Sequence, residues 1–151
     1  MRTNNKKGFT IIELLVVMSI ILILAGLLMG ASQAAKRQAM VAKAKAMISA
    51  LETAIGMYQA DIGSYPATGI DKLYDGLTTS AGLSTANAAN WGGPYMEFKD
   101  NDHVGNLIKD SWGNNYTYAN PDTTHGGNYV DITSNGPDGT APSADDITNW
   151  K

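Results

Sequence analysis

The sequence of 151 residues contains no cysteine, which excludes both a disulfide framework and a thiolate metal site. It has only two histidines, His103 and His125, and both stand in polar sequence that is typical of loops. It also lacks a Gly-x-Ser-x-Gly nucleophile motif and a phosphate-binding loop. Because the groups of a catalytic site are missing, the sequence predicts that the protein is not an enzyme.

Basic residues are scarce beyond the first eight positions. The formal net charge is −3, and three of the eleven Lys and Arg residues are Arg2, Lys6 and Lys7. Residues 9–151 carry 8 Lys and Arg against 14 Asp and Glu, which gives this part a formal charge of −6. Nucleic-acid binding needs a clustered basic face, so the composition predicts no nucleic-acid partner.

A long apolar run stands near the start of the chain. It covers the 23 residues from Phe9 to Ala31, which as a helix measure about 34 Å, enough to cross a membrane. The basic residues before it predict that the N-terminal end stays in the cytoplasm. A cleaved secretory signal fits poorly, since its apolar core is shorter and ends at a small-residue cleavage site. We therefore expect a transmembrane helix over residues 9–31.

One carboxylate, Glu13, lies inside this run. A charge at such a position costs roughly 2.5–3.5 kcal/mol on membrane-insertion scales, and it is functional by default. The sequence therefore raises the question of which cationic group pairs with Glu13.

The motif Lys7-Gly8-Phe9-Thr10-Ile11-Ile12-Glu13 resembles the processing signal of type IV pilins and pseudopilins. The resemblance implies that a prepilin peptidase cuts between Gly8 and Phe9 and methylates the new amino group of Phe9. That amine is cationic near neutral pH. In a bundle of helices, the Phe9 amine of one subunit can neutralise Glu13 of its neighbour, which makes the buried charge tolerable. We therefore predict that Phe9 and Glu13 act in assembly.

The helix is expected to continue beyond the apolar run to residue 59. Steps of three and four residues mark one apolar stripe, and Gly and Pro signals in residues 61–66 end it. A short helix is expected over Asp71–Leu77, and two strands over Tyr116–Ala119 and Asn128–Thr133. The stripe consists of Met40, Ala44, Met47, Leu51, Ile55 and Tyr58.

These elements predict an α+β protein in which a long N-terminal α-helix packs on a small antiparallel β-sheet, and the resemblance to pilins implies that this is the pilin fold. The predicted organisation is a leader peptide (residues 1–8), a transmembrane and assembly helix (residues 9–31) and a periplasmic globular domain (residues 32–151) that includes the helix over residues 32–59.

A second resemblance covers nearly the whole chain and is to the major pseudopilins of type II secretion systems. Residues 97–108 depart from that pattern and have the character of an insertion. The resemblance rests on these segments in chain order: Met57-Tyr58, Gly63-Ser64-Tyr65-Pro66, Asn90-Trp91-Gly92-Gly93-Pro94-Tyr95, Asp110-Ser111-Trp112-Gly113-Asn114-Asn115-Tyr116, Ser134-Asn135-Gly136-Pro137-Asp138-Gly139 and Asp145-Asp146-Ile147-Thr148-Asn149-Trp150.

This resemblance implies a structural subunit of a pseudopilus that assembles from the bacterial inner membrane and drives protein export across the outer membrane. Its implied partners are other copies of itself, minor pseudopilins, the prepilin peptidase and an inner-membrane assembly platform. The alternative is a type IV pilus subunit for adhesion, motility or DNA uptake. A membrane-anchored enzyme or binding protein that uses the same processing route is the third possibility.

Three aspartates, Asp138, Asp145 and Asp146, stand near the end of the chain. Their spacing alone favours a solvated acidic tail, since scattered acidic residues are usually exposed. The resemblance to major pseudopilins instead implies a calcium site in this loop. Calcium takes six to eight oxygen ligands, so the backbone carbonyls of Asn135 and Ser143 are candidates to complete the shell.

Overall fold

The computed structural model of the chain describes residues 8–120 and 130–150, without the side chains of residues 27–31. Three helices come first: α1 (Ile11–Ile62), α2 (Ile70–Thr78) and α3 (Thr85–Asn90). Five short strands follow: β1 (His103–Val104), β2 (Leu107–Ile108), β3 (Thr117–Ala119), β4 (Asp131–Ser134) and β5 (Ile147–Thr148). The chain divides into two compact units, residues 1–38 and residues 39–151, with the division inside α1.

The first unit exposes apolar side chains along α1. Every large apolar side chain described there has at least 46% of its surface exposed. They are Phe9, Ile11, Ile12, Leu14, Leu15, Val16, Val17, Met18, Ile20, Ile21, Leu22, Ile23 and Leu24.

A membrane-spanning helix was sought among the residues that the structure describes. No helix there is both long enough and apolar enough to cross a membrane. The span predicted over residues 9–31 ends in residues 27–31, whose side chains lie outside that description, and it stays a prediction.

The apolar stripe of α1 in the second unit is confirmed for most of its members. Ala44, Leu51, Ile55 and Tyr58 are buried, and Met47 is partly buried against the core. Met40 is 40% exposed, so its predicted place on the stripe is wrong. The buried face therefore starts one helical turn later than expected, and it also includes Ile48 and Ala54.

A glycine ends α1. Gly63 has φ +80°, and its N–H donates to the carbonyl of Gln59 at 2.8 Å. This is the left-handed C-terminal cap that glycine adopts without steric cost. The end predicted from the Gly and Pro signals is confirmed within three residues.

The predicted short helix is α2, which is one residue longer at each end. Ile70, Leu73 and Leu77 are its buried residues, and their spacing puts them on one face of a helix. The helix α3 is not predicted from sequence; the Ser84 side chain caps it by accepting a hydrogen bond from the Asn87 N–H at 3.3 Å.

The strands form two antiparallel sheets. β1 pairs with β2, and β3, β4 and β5 form a three-stranded sheet in that order. β3 and β4 confirm the two predicted strands, although Asn128 and Tyr129 lie outside the described residues. The β1–β2 hairpin occupies the segment that has the character of an insertion. The register β3–β4 pairs Tyr118 with Ile132, both buried.

Two tyrosines join the sheet region to α1 and to the segment between α1 and α2. The Tyr118 hydroxyl donates to the carbonyl of Pro66 at 2.9 Å, and the Tyr116 hydroxyl to that of Ala44 at 3.4 Å. Burial raises the pKa of both phenols well above the ordinary value. The domain is thus an α+β core of one helix, a second short helix and a small antiparallel sheet.

Candidate functional site

The predicted processing site directly precedes α1. Gly8, Phe9 and Thr10 are non-helical, and the helix begins at Ile11. The rest of the predicted leader, residues 1–7, lies outside the described part of the chain. The structure places the Gly8–Phe9 bond in an exposed, non-helical segment. Such a segment suits cleavage by a peptidase, because in a helix the backbone N–H and C=O groups would be hydrogen-bonded within the chain.

Glu13 interacts with Thr10 on its own chain. Its Oε2 atom accepts a hydrogen bond from the Thr10 N–H at 2.9 Å and another from the Thr10 hydroxyl at 2.8 Å. The Glu13 N–H donates in return to the Thr10 hydroxyl at 3.3 Å. This reciprocal pattern is a capping box, which satisfies free N–H groups at a helix start.

The capping box was not part of the sequence-based prediction, which assigned Glu13 only to pairing with the Phe9 amine of a neighbour. The signal for it is Thr-x-x-Glu immediately before an apolar run. With the leader attached, Phe9 carries an amide and not an amine. The pairing of Phe9 with Glu13 therefore stays a prediction about the processed protein.

The three predicted metal-binding aspartates lie in one loop between β4 and β5. The Ser143 hydroxyl donates to Asp145 Oδ1 at 2.5 Å and lies 2.9 Å from Asp146 Oδ1, so it links the two carboxylates. The Asp138 N–H lies 3.3 Å from Asp145 Oδ2, and Asp138 Oδ1 accepts from the Thr140 N–H at 2.9 Å. The Ser143 hydroxyl holds the pKa of the Asp145 carboxyl below its ordinary value.

The backbone of this loop turns at two glycines. Gly136 and Gly139 have φ values of +65° and +68°, which only glycine adopts readily. A Cβ atom at Gly136 would overlap the carbonyl oxygen of Asp145. The backbone at Gly136 therefore supports Asp145 directly, and a larger residue would push the two apart. The Asn135 side chain spans the turn and donates to the Gly139 carbonyl at 3.3 Å.

The donor set of this loop suits a hard cation, because it consists of carboxylate and carbonyl oxygens. The carboxylates are not gathered around one point, however. Within residues 8–120 and 130–150, no three Asp, Glu, His or Cys side chains form a group that could hold a metal ion. Their oxygens accept hydrogen bonds from loop donors instead. Calcium binding at Asp138, Asp145 and Asp146 therefore stays a prediction.

Comparison with known proteins identifies the family. Residues 32–150 match the family described as type II secretion system (T2SS), protein G, and residues 3–29 match the prokaryotic N-terminal methylation motif. The chain belongs to the type II secretion system protein G family.

Relatives with this name align over almost the whole chain. The chain is 37% identical to the type II secretion system core protein G of Escherichia coli K12 over 155 residues, covering 98% of this chain and 93% of the relative. It is 36% identical to the core protein G of Klebsiella pneumoniae over 154 residues, covering 97% and 96%. The Aeromonas hydrophila core protein G is 34% identical over 159 residues, with coverage of 99% and 96%.

A solved structure supports the same conclusion. The fold is similar to the crystal structure of the major pseudopilin from the type 2 secretion system of enterohaemorrhagic Escherichia coli, with a TM-score of 0.51 and 28% identity over 78% of this chain and 87% of that one. The predicted resemblance, the pilin fold and the prediction of a non-enzymatic structural subunit are therefore confirmed.

One buried residue of this protein G family member was not predicted as part of any site. Asp110 is only 6% exposed, and its Oδ1 atom accepts from the N–H groups of Trp112 at 3.0 Å and Asn114 at 2.9 Å. Its Oδ2 atom accepts from the Ser134 hydroxyl at 2.7 Å. Ser134 lies 24 residues further along the chain, so the sequence around Asp110 does not indicate this contact.

Proposed function

We propose that the protein is the structural subunit of a type II secretion pseudopilus. After cleavage between Gly8 and Phe9 it assembles from the bacterial inner membrane into a periplasmic filament, and growth of that filament drives protein export across the outer membrane. Each subunit crosses the membrane once, with residues 32–151 in the periplasm. The observation that carries the proposal is the row of exposed apolar side chains from Phe9 to Leu24, in a chain whose remainder matches protein G.

Exposed apolar side chains of this number require an apolar environment outside the chain. Burying one large aliphatic side chain contributes about 1.5–3 kcal/mol, so a whole row of them strongly favours lipid or the helices of other copies. The first environment suits the subunit before assembly, and the second suits it in the filament. The further partners in this proposal are the prepilin peptidase, minor pseudopilins and an assembly platform in the inner membrane.

The test is deletion of the gene, followed by assays of protein secretion, surface filaments and twitching motility. We expect secreted proteins to accumulate in the periplasm while surface filaments and twitching remain normal. Restoration of secretion by the wild-type chain is the control for the deletion. Normal secretion together with lost surface filaments would reject the proposal and favour a type IV pilus subunit for adhesion, motility or DNA uptake.

We also propose that the loop between β4 and β5 binds calcium. Asp138, Asp145 and Asp146 are the proposed carboxylate ligands, and the backbone carbonyls of Asn135 and Ser143 complete the shell. The proposal is supported by the oxygen-only donor set and by the confinement of the three carboxylates to one tightly turned loop. Binding requires a small rearrangement in which a cation replaces the Ser143 hydroxyl and loop N–H groups as the partner of the carboxylates.

Thermal melting of the full chain in detergent, with calcium chloride or with EDTA, tests this site. A ligand at 100 times its Kd stabilises the folded state by about 2.7 kcal/mol, so the midpoint is expected to rise clearly with calcium. Asp138→Ala is expected to abolish the rise. Asp100→Ala removes the same charge from an exposed position outside the loop, and it should leave the rise intact. The same midpoint in calcium and EDTA would reject the site.

A further inference from the structure

The loop that carries the three aspartates is connected to a buried carboxylate outside it. Asp110 lies in the turn that follows β2, and it accepts three hydrogen bonds while only 6% exposed. Hydrogen bonds to a charged acceptor are stronger than neutral ones. Asp110 therefore holds its three donors in place. They are the backbone N–H groups of Trp112 and Asn114 and the hydroxyl of Ser134.

Ser134 passes this constraint to the loop. It is the last residue of β4, is fully buried, and donates its hydroxyl proton to Asp110 at 2.7 Å. The same oxygen accepts a hydrogen bond from the N–H of Gly136 at 3.2 Å. Gly136 is buried too, so this hydroxyl satisfies an N–H group that water does not reach.

Gly136 in turn lies against Asp145. The space where a Cβ would stand is filled by the Asp145 carbonyl group. A second link runs parallel: Asn114, whose N–H is bonded to Asp110, places its side-chain amide 3.5 Å from the Gly136 carbonyl and close to Gly139. The buried carboxylate thus reaches both glycine turns of the loop.

We propose that Asp110, acting through Ser134, is a positioning residue for the loop of residues 136–146. It holds the backbone of Gly136 in the left-handed conformation on which Asp145 rests. This part of the proposal concerns the order of the loop and is independent of any ligand. Its second part, that the same constraint raises the calcium affinity of the loop, rests on the proposed calcium site.

The simpler explanation is that Asp110 stabilises only its own turn. Ser134→Ala separates the two, because it removes the hydroxyl that bonds to the Gly136 N–H and leaves both bonds from the Trp112 and Asn114 N–H groups to Asp110. Asp110→Asn is the milder change: one amide oxygen still accepts from the turn, and the amide group can donate to Ser134. Thr78→Ala is the matched control, since it removes one partly buried hydroxyl, bonded to the Tyr74 carbonyl at 2.8 Å, from α2.

The experiment is amide hydrogen exchange by mass spectrometry on the full chain in detergent, in EDTA and in calcium chloride, together with calcium titration. In EDTA, Ser134→Ala is expected to accelerate exchange in residues 136–146 about tenfold, which corresponds to the loss of about one buried hydrogen bond. Asp110→Asn is expected to have a smaller effect in the same direction. Thr78→Ala should leave exchange in the loop unchanged. Calcium affinity is expected to fall about tenfold for Ser134→Ala.

The outcomes test the two parts of the proposal separately. If the wild type shows no calcium-dependent change, the proposed calcium site fails, while faster loop exchange of Ser134→Ala in EDTA still supports the positioning role. Loop exchange at the wild-type rate in Ser134→Ala overturns that role. So does an acceleration that is equal in the loop, in α2 and in the sheet, because it reports general destabilisation.

Discussion

The two parts of α1 contain the same kinds of apolar residue and differ in what covers them. Between Ile11 and Leu24 every large apolar side chain is at least 46% exposed, whereas Ala44, Ile48, Leu51 and Ile55 are at most 4% exposed. In the second unit the stripe is covered by the chain's own α2 and sheet residues. One helix therefore carries two different surfaces: one completes the core of a domain, and the other exposes its apolar side chains.

The two carboxylates Glu13 and Asp110 also differ in burial, and in how far along the chain their hydrogen-bond donors lie. Glu13 is exposed, and the described residues give it hydrogen bonds from Thr10 alone, three positions away. Asp110 is buried, and its donors come from three residues, one of them 24 positions away. A carboxylate held by one local partner can exchange it for another. A carboxylate held by distant parts of the fold cannot do so without disturbing them.

The largest effect is expected at Glu13 and concerns assembly. Glu13→Gln retains an oxygen that can accept from Thr10, so it preserves the capping box while removing the charge. Breaking a buried ion pair costs about 3–5 kcal/mol, and we expect filament yield, counted by electron microscopy, to fall at least about 100-fold. Glu13→Ala should be equally defective.

Two results would contradict the pairing of Glu13 with the Phe9 amine. Normal filament yield in Glu13→Gln would leave only the capping role for this residue. A yield that falls in Glu13→Ala and is normal in Glu13→Gln would show that the hydrogen bonds to Thr10, and not the charge, matter in the filament. Subunit abundance in the membrane fraction is measured alongside, so that loss of protein is not mistaken for loss of assembly.

The second prediction contrasts one leucine from each part of α1. Leu51 is fully buried and Leu15 is 61% exposed. Leu51→Ala is expected to lower the free energy of unfolding of the domain by about 2–5 kcal/mol, because it leaves a cavity in the core. Leu15→Ala is the matched control and should leave unfolding of the domain, followed by circular dichroism in denaturant, unchanged. Equal destabilisation by both changes would erase the distinction between the two surfaces.

The parts of the fold that were predictable from sequence are those with a repeated local signal. The stripe through Ala44, Leu51, Ile55 and Tyr58 repeats at helical spacing along α1, and Ile70, Leu73 and Leu77 repeat it in α2. β1, β2 and β5 have two residues each, so they are too short to show the alternation of apolar and polar residues that predicts a strand. Their position depends on pairing with distant segments.

The same division applies to the sites. The Gly8–Phe9 motif and Glu13 are local patterns, so the sequence alone is enough to predict a site there, and the Thr-x-x-Glu spacing indicates the capping box of Thr10 and Glu13. Asp110 could not be assigned, because its role depends on Ser134 and Gly136, which only the folded chain brings to it. Burial of a carboxylate is likewise a property of the fold and not of the Asp-Ser-Trp-Gly sequence.

The third prediction concerns the rigidity of the loop between β4 and β5. Gly136→Ala forces a Cβ into the Asp145 carbonyl group in addition to the strain of a positive φ. We expect a loss of stability of about 2–4 kcal/mol, since strain of this kind costs about 1–3 kcal/mol before any overlap. Gly82→Ala is the control, because Gly82 has φ +85° and open space around its Cβ position. Thermal melting of both variants should show the smaller shift for Gly82→Ala.

The smallest effect is absent at neutral pH and appears only in alkaline solution. Burial, with Asp110 and Asp102 adding for Tyr116, raises the pKa of Tyr116 and Tyr118 in the folded domain above the ordinary value of about 10. Each phenol is neutral when folded and ionises more easily when unfolded. The stability that it contributes is therefore complete below about pH 10 and falls as the pH rises further.

Tyrosinate absorbance and circular dichroism, followed together during alkaline titration, test this prediction. Tyr116 and Tyr118 should ionise only as the domain unfolds, and Tyr116→Phe should lower the amplitude of this late step. Ionisation of all the tyrosines near the ordinary pKa of about 10 with the helical signal intact would mean that water reaches these hydroxyls. In that case water would also reach the buried stripe in the second part of α1. The difference in exposure between the two parts of the helix would then be smaller than the structure indicates.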